Sequence, residues 1–377
     1  MVHIHHELSL AMDRVLTFIH GEFHRPISRE EMAQSAGLSI WYFSKVFKEY
    51  TGVTPNEYVT NVRMASAKKQ LLFSSSAIQV IAEGAGYPDE FYFSRKFKQS
   101  EHLSPRQYRV EKRSAMAALA LPFTGHLLSL GVIPHVATVD STRDLHLKEE
   151  LLHIPVHLKR SKQMSKELWH ENLAHLREAE PGLILCPDLF SAQIKREIEK
   201  IAPTIIVPWL ELTWREHLQE VAELSGKKRE AVAWLKRYQA KTTKTRQQLK
   251  EKLGNRSVSL LHVMGGQLVI YGKRNVGAVL YEDLGLTSAY NYEEIDLYKV
   301  IEQHELSEFL GDQILVVVDR DVSSYQAWQL VKQSSDWQKL RAVEMGKVQV
   351  LKEMPWLDYS PYAHEQVVDL AVETLCK

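Results

Sequence analysis

The sequence predicts a multi-domain protein: an all-α head holding two helix-turn-helix units, then a two-lobed α/β body divided by one long helix. Three observations predict this. The phrase "FSKVFKEYTGVTPNEY", Phe43 to Tyr58, returns as "FSRKFKQSEHLSPRQY", Phe93 to Tyr108, and nowhere else. From Ala115 onward, short apolar runs alternate with amphipathic segments, which is the grammar of α/β architecture. Lys227 to Leu253 has no Gly or Pro over 27 residues, enough for a helix of about 40 Å.

Length and composition agree with two or three compact units. The 377 residues are 45% hydrophobic and 25% charged, so a core is available and disorder is not expected. The formal net charge of zero hides an asymmetry. Residues 1–113 carry 15 Lys and Arg against 12 Asp and Glu, leaving 32 against 35 for the rest. A mildly basic head on a mildly acidic body hints at a nucleic-acid partner for the head. Two cysteines in unrelated contexts, Cys186 and Cys376, give no disulfide framework and fit a reducing compartment. The start "MVHIHHELSL" lacks a basic-then-apolar layout. The apolar region Ala115 to Val139 is interrupted by Pro122, Gly125, His126, Gly131 and Pro134, which argues against a membrane span. A cytoplasmic, soluble protein is expected.

In the head, Ser28 with Glu31 reads as a capping box. Gly37 ends that helix and Ser39 can cap the next. Ile40, Phe43, Val46, Phe47 and Tyr50 then form a helical stripe. Two short helices joined by a tight turn make a helix-turn-helix. The second copy offers Ser76 with Gln79 as its capping box, Gly86 as its turn, and Phe93 and Phe97 as its stripe. Gly37 to Phe43 spans six residues and Gly86 to Phe93 seven. Thr54-Pro55-Asn56-Glu57 and Ser104-Pro105-Arg106-Gln107 each start a closing helix. The stretch from Thr54 to Ser74 reads as one long helix, with Tyr58, Val62, Ala65 and Leu72 buried and Arg63, Lys68 and Lys69 wet. A rigid helix between two units lets one monomer reach successive major grooves, about 34 Å apart.

On these residues, 9–113 resembles the DNA-binding domain of the AraC/XylS transcription factors. The matching stretches are "YFSKVFKEYTGVTPNEYV", "RMASAKKQLL", "IAEGAGYPDEFYFSRKFK" and "LSPRQYR". "SEHLSP" departs from the family, which usually has a Gly at the place matching Gly52. The resemblance implies promoter DNA and RNA polymerase as partners. It puts base-reading side chains at Trp41, Ser44 and Lys45, and at Glu90, Phe91, Ser94 and Arg95. Lys48 and Lys98 are expected nearer phosphates, which supply affinity rather than sequence.

In the body, strands are expected within "GVIPHVATV", "PGLILCP", "PTIIVPW", "VSLLHVM", "QILVVVD" and "KVQVLK". The Lys227–Leu253 segment divides three such runs from three. The expected boundaries are 1–113 for the head and 114–377 for the body, with an N-lobe at 114–226, a connecting helix at 227–253 and a C-lobe at 254–377. "VEKRSAMAALALPFT" has no Gly/Ser linker character, and its apolar run suggests packing between the halves.

Two α/β lobes tied by one long helix resemble the iron-siderophore class of periplasmic solute-binding proteins. "SLGVIPHVATV", "EAEPGLILCPD", "IAPTIIVPW", "YGKRNVGAVLYEDLGL" and "WQKLRAVEMGKVQVL" carry the resemblance over about 115–377. It implies a ligand between the lobes, held by loops at strand ends. Those loops offer Lys159, Arg160, Arg215, Lys273 and Arg274, with Trp209, Trp214, Tyr271, Trp356, Tyr359 and Tyr362. A ferric tris-catecholate is a bulky anion with aromatic flanks, so cations and rings suit it. The implied effector is a ferric siderophore, with no direct metal ligand and no cofactor.

Other chemistry is poorly supported. His170 and His175 in "HENLAH" are five apart, so they face apart on a helix. "HIHH" at 3–6 offers metal ligands on what reads as a frayed end. "GGQLVIYGKRNVG" lacks the GK[ST] of a phosphate loop. No nucleophile motif is present, and no catalysis is expected. The leading reading is a one-component regulator of iron-uptake genes that responds to a ferric siderophore. Within that class the effector could instead be haem, a corrinoid or another chelate. From a different class, a ferric-ion or metabolite carrier would ligate metal through Tyr271, Tyr359, Tyr362 and His364.

Overall fold

A computed structural model describes residues 2–74, 76–160, 166–352 and 354–376. The side chains of His3, His5 and His6 lie outside what it describes. The chain divides into two compact units, Met1–Ser114 and Ala115–Lys377.

The described residues of the first unit form seven helices: α1 Val2–Glu22, α2 Arg29–Ala36, α3 Ile40–Thr51, α4 Pro55–Phe73, α5 Ile78–Gly84, α6 Glu90–Glu101 and α7 Pro105–Ser114. Helix α2 starts with the Ser28–Glu31 capping box and stops at Gly37, which takes the left-handed conformation at φ 70°. Helix α4 starts with the Thr54–Glu57 box. Ser104 and Gln107 exchange the same pair of bonds ahead of α7.

The repeat in sequence is a repeat in packing. Phe43 and Phe47 lie 5.4 Å apart, with Tyr58 edge-on to Phe47 at 5.5 Å. Phe93 and Phe97 lie 5.6 Å apart, with Tyr108 edge-on to Phe97 at 5.3 Å. All four phenylalanines are fully buried. Helix α4 serves both cores: Val59 packs in the first, and Met64, Ala67, Leu71 and Leu72 in the second.

Four local expectations are corrected. Ser76 and Gln79 form no capping box; Ala77 caps α5, and the Gln79 amide turns to Glu83 at 3.1 Å. Ser39 stands at the α3 cap without a side-chain bond. Ala65 is exposed. Arg63 is half-buried, donating to the carbonyls of Phe23 at 2.8 Å and Arg25 at 2.7 Å. It closes orphan carbonyls beyond the end of α1 and packs beside Gly86, where any Cβ would strike the Phe23 carbonyl. The "SEHLSP" departure leaves the turn intact. His102 takes φ 61° where Gly52 takes φ 80°, a conformation a non-glycine residue adopts at a cost.

The second unit holds two five-stranded sheets, ordered β3-β2-β1-β4-β5 and β10-β9-β6-β7-β8. The first contains β1 Met116–Ala118, β2 Val136–Val139, β3 Val156–Lys159, β4 Leu183–Pro187 and β5 Thr204–Val207, all parallel. The second contains β6 Val258–Met264, β7 Gln267–Tyr271, β8 Tyr298–Ile301, β9 Gln313–Val318 and β10 Val348–Leu351. Here β6, β9 and β10 are parallel, while β7 and β8 return antiparallel. Between the sheets runs the helix Lys228–Leu253, which buries Trp234, Tyr238, Leu249 and Leu253.

The apolar run after Arg113 is used inside this unit. Met116, Ala117 and Ala118 are fully buried as the central strand of the first sheet. Phe123 and Leu127 are buried in α8, Leu121–Ser129. One residue, Ala115, separates α7 from β1.

Candidate functional site

The first unit presents two matched faces. Trp41, second residue of α3, is 77% exposed, and Phe91, second residue of α6, is 80% exposed. Lys45 and Lys48 on α3, and Arg95 and Lys98 on α6, are exposed and form no ion pair among the described residues. Ser44 and Ser94 are half-buried. The Ser44 hydroxyl donates back to the Ile40 carbonyl at 2.9 Å, which leaves its oxygen lone pairs to accept. Glu90, half-buried, opens α6 behind the Asp89 cap, where a carboxylate favours the helix dipole. That gives Glu90 a local role beside any base contact.

In the second unit, a cluster forms where the lobes meet. The loop after β7 carries Arg274, whose guanidinium donates to the carbonyls of Leu210 and Leu212 in the loop after β5. Its carbon lies 5.1 Å from the centre of the Tyr359 ring. The Tyr359 hydroxyl accepts from the Trp214 backbone at 3.1 Å. Trp209 is edge-on to Tyr359 at 5.8 Å and stacked on His217 at 5.3 Å. Arg215 lies 4.1 Å over the Trp214 ring and pairs with Asp283. Tyr238 donates to the same carboxylate at 2.7 Å. Burial holds the Asp283 carboxyl above its ordinary range, against the opposing pull of Arg215.

The structure thus brings together Trp209, Arg215 and the buried Arg274 and Tyr359, 7% and 3% exposed, with the exposed Lys273 next in sequence to Arg274. Lys273 has one loose contact, to Asp296 at 3.6 Å. Other expected ligand residues have structural employment. Trp214 is 1% exposed, packed against Trp234, Tyr238 and His364. Trp356 is buried. Tyr271 is buried with its hydroxyl 2.8 Å from His262, which also reaches Asp319 at 2.9 Å. Tyr362 donates to Glu150. Arg160 pairs with the buried Asp144, and Lys159 with Glu171 at 2.5 Å. These contacts hold loops in place; Trp214 and Trp356, like Arg274 and Tyr359, show little surface.

Of the four residues of the direct-metal reading, Tyr359 and His364 lie with ring centres 5.5 Å apart, while the Tyr271 and Tyr362 hydroxyls bond to His262 and Glu150. Burial pushes the Tyr359 and Tyr362 hydroxyls up. His364 is buried against Trp214 and Tyr359. Among the described residues, no group of three His, Cys, Asp or Glu side chains could hold a metal ion. None of the described helices is long and apolar enough to cross a membrane.

Sequence reasoning missed Asp283, Tyr238 and His217. Their partners lie 68, 45 and 9 residues away, and no local motif joins them.

Residues 32–111 match the family model of a helix-turn-helix domain, and residues 118–355 that of a periplasmic binding protein. The HTH-type transcriptional activator Btr of Bacillus subtilis is 30% identical over 97% of this chain and 68% of its own. FhuD2 of Staphylococcus aureus, solved with bound ferrioxamine B, superposes with a TM-score of 0.60 at 19% identity, over 70% of this chain and 98% of that one. FeuA of Bacillus subtilis, a triscatecholate siderophore binding protein solved with ferri-bacillibactin, gives 0.58 at 19%, over 69% and 91%. At such identities the two structures establish the fold of the second unit. The two family matches, together with the relative that is 30% identical over nearly the whole chain, show that the chain belongs to the AraC-type helix-turn-helix transcriptional regulators that carry a periplasmic-binding-protein domain.

Proposed function

We propose that this regulator binds a ferric siderophore of the catecholate type between its lobes and, in response, raises transcription of siderophore-uptake genes through RNA polymerase. Promoter DNA is read by α3 and α6, with Lys45 and Arg95 as the principal base-edge contacts. Arg274, Arg215 and Lys273 supply positive charge to the effector, and Trp209 and Tyr359 supply rings. The observation that carries this reading is the pair of ring-backed guanidiniums at the lobe junction, Arg274 by Tyr359 and Arg215 by Trp214. A planar, weakly hydrated cation held against a ring suits an anion with aromatic arms. FeuA carries a triscatecholate complex on the same fold, and FhuD2 carries ferrioxamine B, so the choice between chelate classes rests on this charge and ring content.

The test is a titration of the full chain with ferric catecholate, ferrioxamine B, ferric citrate, haem and a corrinoid. Tryptophan fluorescence and a gel shift on the DNA upstream of its own gene are followed together. One-to-one quenching by the catecholate, with a changed gel shift, is the expected result. Quenching by haem or the corrinoid alone would replace the effector. Tight uptake of uncomplexed ferric ion would replace the regulator by a carrier.

A further inference from the structure

The connecting helix is the most unevenly charged segment of the chain. Residues 228–253 hold nine Lys and Arg against two acids, Glu230 and Glu251. The remainder of 114–377 holds 23 against 33. A strongly basic rod therefore lies on an otherwise acidic body.

Part of this charge is used in packing. Lys227 pairs with Glu230, Lys228 with Glu223, and Lys241 with Glu365 and Asp369. Arg246 donates to the carbonyls of Glu282 and Asp283. Arg229, Lys236, Arg237, Lys244 and Lys250 are exposed and form no ion pair among the described residues. They stand opposite the buried row of Ala231, Trp234, Tyr238, Thr242, Thr245 and Leu249. From Arg229 to Lys250 this stripe runs about 32 Å.

The helix gains from only part of this arrangement: Lys250 and Lys252 in its last turn complement the dipole, and the rest does not. Lys228 and Arg229 stand in the first turn, where the dipole disfavours cations. Arg237 and Lys241, and Arg246 and Lys250, are like charges four apart, which repel. Exposed charge that works against its own helix suits a partner of opposite sign and comparable length. DNA is such a partner, with one negative charge per about 1.7 Å of axis.

We propose that the outer face of the connecting helix is a second, sequence-independent contact with the DNA backbone, additional to the two helix-turn-helix units. The proposal rests on the reading of this chain as a DNA-binding regulator. Its role is to add phosphate contacts on DNA flanking the operator, so that the sensor itself contributes to affinity.

The test compares the full chain with the quadruple variant Arg229→Gln, Lys236→Gln, Lys244→Gln, Lys250→Gln, and with Lys236→Arg, Lys244→Arg, Lys250→Arg as the charge-keeping control. Glutamine is a good helix former, so the fold is kept, and circular dichroism checks it. Anisotropy is measured on random-sequence duplexes of about 20 and about 50 base pairs over a series of KCl concentrations. Each lost phosphate contact lowers the slope of log affinity against log salt by about 0.9, so the glutamine variant should lose roughly 2–4 on the long duplex. The arginine variant should match wild type. Equal slopes for all three proteins, with binding intact, overturn the proposal alone. An unchanged DNA slope with variant-sensitive pelleting on phosphatidylglycerol vesicles, or with reduced transcription in a purified polymerase assay, also overturns it and points to lipid or to protein. No binding to any duplex, random or promoter, overturns the DNA reading and the proposal with it.

Discussion

Arg274 donates to the carbonyl of Leu212 at 2.8 Å, and with that bond one guanidinium joins the loop after β7 to the loop after β5. The same group is our first choice for the effector's negative charge. Arg274→Ala should therefore weaken ferric-siderophore binding at least about tenfold and lower stability by about 1.5–3 kcal/mol, the range for hydrogen bonds to a charged group. Arg274→Lys should recover part of the affinity and little of the stability, because an ammonium lacks the planar fork. Fluorescence titration and urea unfolding read the two effects separately. Unchanged affinity in Arg274→Ala would remove this residue from the binding site.

Lys45 and Arg95 are each the sixth residue of matched helices, one residue after Ser44 and Ser94. Lys45→Ala and Arg95→Ala should each relax base preference, costing about 1–3 kcal/mol on the preferred site and less on altered ones. Lys48→Ala and Lys98→Ala should weaken all sites alike. Binding to a panel of single-base operator variants distinguishes the two patterns. Uniform loss in all four mutants would assign every one of these cations to phosphate.

The body should be sensitive to acid. Burial lowers the His126 imidazole to about 4 and the His364 imidazole well below its usual value. Both rings are neutral in the native state and take protons on unfolding. Their contribution to stability is complete above about pH 6.5 and is lost as the pH falls from there toward 4, at up to about 1.4 kcal/mol per unit for each ring. Seven of the eight tryptophans lie beyond residue 114, so intrinsic fluorescence of the full chain reports on this unit. Both ring nitrogens of His364 lack a hydrogen bond among the described residues. His364→Phe should therefore flatten the acid limb and leave stability at pH 7.5 equal or higher by about 1–3 kcal/mol. An unchanged acid limb would place the sensitivity elsewhere.

Helix α7 ends at Ser114 and β1 begins at Met116. A flexible Gly/Ser segment inserted after Ser114 should leave operator binding and effector binding intact while abolishing effector-dependent expression. In the intact chain the effector should shift DNA affinity by a coupling of roughly 1–3 kcal/mol, and operator DNA should shift effector affinity by the same factor. Expression that still follows the effector through the insertion would point to oligomerisation or recruitment of another protein.

The helices of the head were legible because their ends carry local chemistry. The Ser28, Thr54 and Ser104 boxes and the Gly37 turn sit beside the elements they bound. The Ser76 box failed because a plausible spacing was not the geometry the chain chose, and Ala77 took the cap. In the body, six of the ten strands stood out as apolar runs. β3 and β8 are edge strands with polar residues and so read as loop. β7 was readable in principle: Gly265 and Gly266, both at positive φ, form the two-residue turn of a hairpin with β6. The rings and cations near the lobe junction were visible as residue types. Which of them stay at the junction was not, because Asp283, Leu210 and Glu150 become partners only through tertiary folding.

The position of β1 has a consequence during synthesis. Both cores of the head are complete once Ser114 has emerged. β1 follows at once, yet it belongs between β2 and β4, and β4 ends only at Pro187. At translation speeds of about 5–20 residues per second, the rest of the body takes roughly 15–50 s to make. Each nascent chain thus passes through an interval in which the DNA-reading unit is finished and its sensor is not. A ribosome working on this message carries a folded helix-turn-helix unit beside an unfinished binding domain, tethered beside a transcript and, in a coupled system, beside the gene itself.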